Sequence, residues 1–244
     1  PNLTGSITLR ITVKDNGGTA SGGVDTAFAD VKLYFSDTIV DPADGQVYHY
    51  LVLGNRSWFA QNLRRQPKWG TVNSDSNGVL YHWAQGFDQD SAKCDDSACA
   101  MTLNTYAAQG LCPTGWNIPM DQEWKNLVKW ADNGLPDSVG SSRLRSKTGW
   151  TWFVGLGSII NASGTDDWGF GVKKDYCAGC FTGQGSWDAR FWSNTLSPDS
   201  TGGTLGRVFA DFTPTGFSVW GLYAAQFDLW FPIRCVKTLP PGQW

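Results

Sequence analysis

The chain has 244 residues, with 19 Lys and Arg against 22 Asp and Glu, for a formal charge of −3. That balance excludes a nucleic-acid binder that relies on a basic stripe. A hydrophobic content of 41% excludes a disordered chain, and no apolar run reaches the roughly eighteen residues of a membrane-spanning helix.

In chain order, Ser6-Ile7-Thr8-Leu9-Arg10-Ile11-Thr12-Val13 alternates with period two and predicts a strand with one buried face. Asp15-Asn16-Gly17-Gly18 is a turn signal, and Val31-Lys32-Leu33-Tyr34-Phe35 predicts a second strand. Two strands rarely hold themselves up. Residues 1–40 are therefore expected either to pack on the main domain or to be the end of a β-sandwich stalk. From Asp41 the texture changes to short strands and many turns, which delimits a main domain over 41–238 and a tail over 239–244. A helix is predicted from Asp121, whose carboxylate can cap exposed backbone N–H groups, to Gly134; Trp124, Leu127, Val128 and Ala131 share its apolar face. A second helix is expected around Thr102–Gln109, and short β segments after Gly134. The fold class read from these elements is α+β, with short β-strands, one or two helices and long loops.

Cysteines stand at 94, 99, 112, 177, 180 and 235. An even count in loop-like surroundings reads as three disulfides in an exported chain. Spacing favours Cys94–Cys99 and Cys177–Cys180 as local staples, leaving Cys112 and Cys235 to close a long loop. The competing readings are a zinc site or a redox-active pair at Cys177-Ala-Gly-Cys180, but the ligand spacing suits neither well. Disulfides place the protein outside the cell or on its surface, with any leader or anchor expected beyond this sequence.

Several ordered phrases carry a family resemblance: Asp41-Pro-Ala-Asp-Gly-Gln-Val-Tyr48, Leu53-Gly-Asn-Arg-Ser-Trp-Phe-Ala-Gln-Asn-Leu63, Tyr81-His-Trp-Ala84 and Gly110-Leu-Cys-Pro-Thr-Gly-Trp-Asn-Ile-Pro119. Asp121-Gln-Glu-Trp124, Leu144-Arg-Ser-Lys-Thr-Gly-Trp150, Phe191-Trp-Ser193 and Ile233-Arg-Cys-Val-Lys237 continue the series. Over residues 41–238 the chain resembles the Fibrobacter succinogenes major paralogous domain family. The resemblance implies a C-type-lectin-like fold on extracellular or surface-anchored proteins, with Cys112 and Cys235 at the family's cysteine positions. The same fold carries the variable proteins of diversity-generating retroelements, whose C-terminal stretch is hypermutated to change ligand.

The 14 tryptophans divide accordingly. Trp58, Trp83, Trp116, Trp124, Trp150 and Trp192 lie inside the family phrases and are assigned to the scaffold. The aromatic-rich C-terminal third is the expected binding face, because Trp and Tyr present large contact areas at little entropic cost. Candidate ligand contacts are Asp188, Arg190, Asn194, Arg207, Phe209, Phe212, Trp220, Tyr223, Phe227 and Trp230. The alternative for Phe209 and Phe212 is the core. The expected partner is a protein or glycan on a cell or phage-host surface, with no nucleic acid and no direct membrane insertion.

No cofactor is assigned. Calcium would need clustered oxygen ligands, for which Asp88/Asp90, Asp95/Asp96 and Asp166/Asp167 are the acidic pairs, without the motifs of calcium-dependent lectins. Gly185-Ser-Trp187 with Ile233-Arg234 resembles the frame of formylglycine-generating-type oxidases, yet no cysteine pair sits in a catalytic phrase. With only His49 and His82, hydrolytic dyads lack an evident base, and the expectation is a non-enzymatic recognition module.

Overall fold

Alternation at the start of the chain produces β1 (Gly5–Lys14), which pairs antiparallel with β2 (Thr26–Phe35) from Gly5↔Phe35 to Lys14↔Thr26. The computed structural model describes residues 5–16, 26–75, 77–89, 109–154, 158–161, 163–174, 188–198, 205–222 and 229–238. Ile7, Leu9, Ile11 and Val13 line one side of this hairpin and remain 45–64% exposed. On the other side Arg10 forms two hydrogen bonds to Asp30, its direct cross-strand partner, at 2.7 and 2.8 Å. The face of β1 expected to be buried is instead open to solvent, since the hairpin covers only one edge of each strand and neither face.

The strand that ends just before residue 41 pairs with the one that follows it. β3 (Asp37–Val40) pairs with β4 (Val47–Leu53) around a turn in which Asp41 Oδ1 accepts the Ala43 N–H. β4 turns at Gly54, whose φ of 61° suits glycine, into β5 (Arg56–Phe59). The last strand, β13 (Val236–Thr238), adds to β5, giving the order β13-β5-β4-β3. Between them lie the hairpin of β6 (Asn73–Asp75) and β7 (Gly78–Leu80), the single-turn helix α1 (Trp83–Gly86), helices α2 (Asp121–Asp132) and α3 (Asp137–Leu144), and the hairpin of β8 (Thr151–Val154) and β9 (Ser158–Asn161). A three-stranded sheet of β10 (Ala189–Pro198), β11 (Leu205–Thr213) and β12 (Gly216–Leu222) completes the described chain. The architecture is α+β and sheet-rich: small antiparallel sheets with few helices.

In α2, the four residues predicted to share the apolar face are all buried. Its cap differs from the expectation. Met120 occupies the N-cap, and its N–H donates to Glu123 Oε2 at 3.0 Å. The Asp121 carboxylate sits one residue inside the helix, drawn sideways by Thr195 Oγ1 and Lys125 Nζ. Asn133 (φ 53°) and Gly134 (φ 83°) end the helix in the left-handed region. The next helix, α3, was not expected, since Asp137-Ser-Val-Gly-Ser-Ser is poor in helix formers. Gly140 explains its place: a Cβ there would collide with the Val128 carbonyl and the Asp132 N–H of α2. Close helix contact outweighs propensity. The helix expected over Thr102–Gln109 lies outside the described residues apart from Gln109.

The family phrases interlock. Trp83 Nε1 donates to the Ser193 carbonyl at 2.9 Å, and Trp192 Nε1 returns the contact to the Tyr81 carbonyl at 2.6 Å. The Leu63 N–H donates to the Ile233 carbonyl, and Asn117 bridges Val236. Cys112 and Cys235, both fully buried, are joined across 123 residues with 5.8 Å between Cα atoms. The other two predicted staples, Cys94–Cys99 and Cys177–Cys180, lie outside the described residues. All six scaffold tryptophans are buried, none more than 3% exposed. They fall into two adjacent cores, one around the disulfide with Trp83, Trp116 and Trp192, the other with Trp58, Trp124 and Trp150. Among the described residues no helix is long and apolar enough to cross a membrane.

Candidate functional site

The β10-β11-β12 sheet separates the two cores. Directly opposed residues on antiparallel strands share a face, and alternate residues change face. Ala189 and Phe191 oppose Phe212 and Ala210, which oppose Phe217 and Val219. This side packs on α2, where the Trp124 ring lies 5.1 Å from Phe191 and 6.0 Å from Phe212. The other side carries Arg190 and Trp192 from β10, Arg207, Phe209 and Asp211 from β11, and Ser218 and Trp220 from the edge strand β12.

That second face gathers part of the predicted site. The guanidinium of Arg190 donates to Asp188 Oδ2 at 3.1 Å and lies over the rings of Phe209 and Phe231, 5.7 and 6.0 Å from their centroids. Its Nε is 3.6 Å from Asp211 Oδ1, an ion pair beyond hydrogen-bond reach. Trp220, cross-strand from Phe209, is 56% exposed, and its Nε1 donates to Ser218 Oγ at 2.7 Å. Charge, aromatic surface and exposed edge thus stand together along one face.

Other predicted contacts are placed elsewhere. Phe212 points to the α2 side and is fully buried, because its three-residue offset from Phe209 reverses the face. Phe209 itself is covered by Phe231, with ring centroids 5.0 Å apart. Arg207 is buried with its guanidinium over the Trp83 ring at 5.4 Å. Asn194 is pulled inward where the β10–β11 register shifts; its N–H donates to the Pro119 carbonyl, and its buried Oδ1 has no donor among the described residues. These four are scaffold rather than contact surface. Trp230 is half-buried against His82, 3.7 Å between ring centroids, apart from the Arg190 cluster. Tyr223 and Phe227 lie outside the described residues.

Sequence reading missed Asp211. Alternation in Arg207, Phe209 and Asp211 marks one face, and the opposite charge of Arg190 is its signal. Burial pushes the Asp211 carboxyl up to about 7; the Asp188 charge adds to that rise and Arg190 opposes it. Asp188 is raised as well, chiefly by burial, with Arg190 pulling the other way. Arg190 therefore commits to Asp188, and the more deeply buried Asp211 holds its proton into the neutral range.

Of the acidic residues considered for calcium, Asp88, Asp166 and Asp167 are engaged within the fold. Asp88 pairs with Lys68 at 2.9 Å; Asp90, Asp95 and Asp96 lie outside the described residues. Asp166 accepts the Gly171 N–H at 2.8 Å, and Asp167 faces Arg143 at 3.4 Å. Among the described residues no three His, Cys, Asp or Glu side chains converge to hold a metal. Ser36 Oγ and His49 Nδ1 are 3.1 Å apart on the exposed surface, with no carboxylate bonded to the other ring nitrogen among the described residues. No family model, no curated protein and no solved structure matches this chain.

Proposed function

We propose that the chain is a non-enzymatic recognition module displayed outside the cell, with a C-type-lectin-like fold and membership of the Fibrobacter succinogenes major paralogous domain family. The observation that carries this reading is the β10-β11-β12 face. A rigid, disulfide-tied scaffold presents Trp220 and the Asp188–Arg190 pair, backed by the buried Asp211, on the side opposite its α2-packed core. A platform of this kind tolerates change at its exposed positions without loss of the core beneath. The interlocking of the family phrases around Cys112 and Cys235 supports the family assignment. In the sharper form of the reading, the C-terminal face is diversified by a retroelement; in the plainer form it is an invariant adhesin or glycan-binding module.

Binding of the whole protein and of Trp220→Ala to one printed array of glycans and surface proteins tests the face. Loss of the wild-type hits in a folded Trp220→Ala variant is expected, and identical profiles would refute the assignment. Sequencing the locus tests the diversified form. A neighbouring reverse-transcriptase gene and an imperfect repeat of the coding 3′ end, differing at adenines, are expected; their absence leaves the invariant module.

A further inference from the structure

Away from the recognition face, a cavity of about 410 Å³ opens between the segment that follows β5, the β6–β7 hairpin and the chain around Gly171. Its size falls within the roughly 300–1,000 Å³ typical of small-molecule sites. Three cations line it, Arg64, Lys173 and Arg234, and no carboxylate is found among the described lining residues. On a chain of net charge −3 this is a local concentration of positive charge. Like charges around one water-filled hollow repel each other until an anion enters.

The cations differ in how they are held. Arg234 is buried and fixed: Nε donates to Asn62 Oδ1 at 3.0 Å, and the terminal nitrogens donate to the carbonyls of Phe170 and Gly171 at 2.6 and 3.4 Å. The nearby Asp166 does not line the cavity, but the Arg234 charge acts on its carboxylate, so Arg234 is offset and Arg64 and Lys173 carry the positive charge offered to a ligand. Arg64 donates to the Val47 carbonyl and lies over the Tyr48 ring, while Lys173 is exposed. Neither has a carboxylate partner among the described residues, so both keep donors for a ligand.

Asn62 adds an oriented donor to the wall. It is only 5% exposed and lines the cavity. Because its Oδ1 accepts from Arg234, the amide orientation is fixed and the NH2 group must face away from that arginine. That NH2 has no acceptor among the described residues. The NH2 is open to the cavity rather than sealed in the protein, so it is a donor that a ligand oxygen can take over from water. Gln61, Ser74 and Asn77 add amides and a hydroxyl to the wall, groups that pair with sugar hydroxyls as donors and acceptors at once.

We propose that this cavity binds the acidic end of a carboxylated saccharide: Arg64 and Lys173 take the carboxylate, Asn62 donates to a ligand oxygen, and the amide-rich wall takes the hydroxyls. The site is separate from the recognition face, so either assignment can fail without the other. The test is titration calorimetry of the full chain with digalacturonate and sialyllactose, against lactose as neutral control and inorganic phosphate as the alternative anion. An acidic saccharide is expected to bind at least about tenfold more tightly than lactose, a difference of about 1.4 kcal/mol, and to weaken as salt is raised. Arg64→Glu/Lys173→Glu, which changes exposed side chains only, is expected to abolish that preference. Asn62→Asp retains a partner for Arg234 and is expected to weaken binding by repulsion while the protein stays folded. Trp220→Ala is expected to leave binding unchanged. Equal binding of lactose, preference for phosphate over both acidic sugars, no heat with any acidic sugar, insensitivity to the double charge reversal, or loss of binding in Trp220→Ala would each overturn the proposal.

Discussion

The two faces of the β10-β11-β12 sheet are built from the same strands and serve different ends. Toward α2, Phe191, Ala210 and Phe212 meet Trp124 in a dry aromatic core. On the other side, Arg190 and Asp211 are set beside Phe209, and Trp220 extends from the edge strand into solvent. Neighbouring residues belong to opposite worlds: Phe191 to one core and Trp192 to the other, Asp211 to the charged row and Phe212 to the α2 side. Composition over this stretch is uniformly aromatic and polar, so it does not separate scaffold from surface. The parity of each position does.

The largest expected effect falls on the α2 side. Phe212→Ala removes a fully buried ring in contact with Trp124, Phe191 and Phe217, and should cost about 3–5 kcal/mol in urea unfolding. A cost below about 1 kcal/mol would break the distinction between the faces.

The second effect belongs to the charged row and depends on pH. Asp211 has a folded pKa of about 7 against an ordinary value of 3.8. Below the ordinary value both folded and unfolded chains hold the proton, and its stabilising share is fully present. Between about 4 and 7 the unfolded chain ionises first, so stability falls as pH rises; above 7 both are ionised and the loss is complete. Asparagine has the shape of the protonated acid and no charge to desolvate. Asp211→Asn should therefore be more stable than the parent at pH 8, by on the order of 2 kcal/mol, with the gap closing by about pH 4. Unfolding curves at the two pH values check this, and a variant that is less stable at pH 8 would mean that the Arg190 ion pair outweighs burial.

Much of the fold was legible in the sequence. The apolar face of α2 and the six scaffold tryptophans read correctly, because they rest on a local period or on the phrases, whereas the alternation in β1 located the strand but not the exposure of its apolar face. The elements that were missed depend on distant contacts. α3 exists because Gly140 lets it approach α2, and β3 belongs to the main sheet because it pairs with β4. The burial of the candidate contacts was legible only in part. Trp220 is exposed as expected, Phe209 and Phe212 take the core alternative, and Arg207 and Asn194, expected at the surface, lie inside. The Arg190–Asp211 pairing depends on strand register, and the Asn62–Arg234 contact joins residues 172 apart. No local pattern carries either.

The smallest effect on stability is the most informative about function. Trp220 is more than half exposed, and its one hydrogen bond, to Ser218, is itself solvent-accessible. Trp220→Ala should change unfolding free energy by less than about 0.5 kcal/mol, since an exposed ring removes little surface from water on folding. Its cross-strand neighbour Phe209 is buried beneath Phe231 on the same face, so Phe209→Ala should destabilise by several times as much. The pair compares two cross-strand aromatics, one open to solvent and one covered. If Trp220→Ala abolishes array binding at unchanged stability, the exposed edge of this face acts in recognition and the covered part supports it. If instead Trp220→Ala destabilises as strongly as Phe209→Ala, the indole is structural and the recognition face must be sought on another surface.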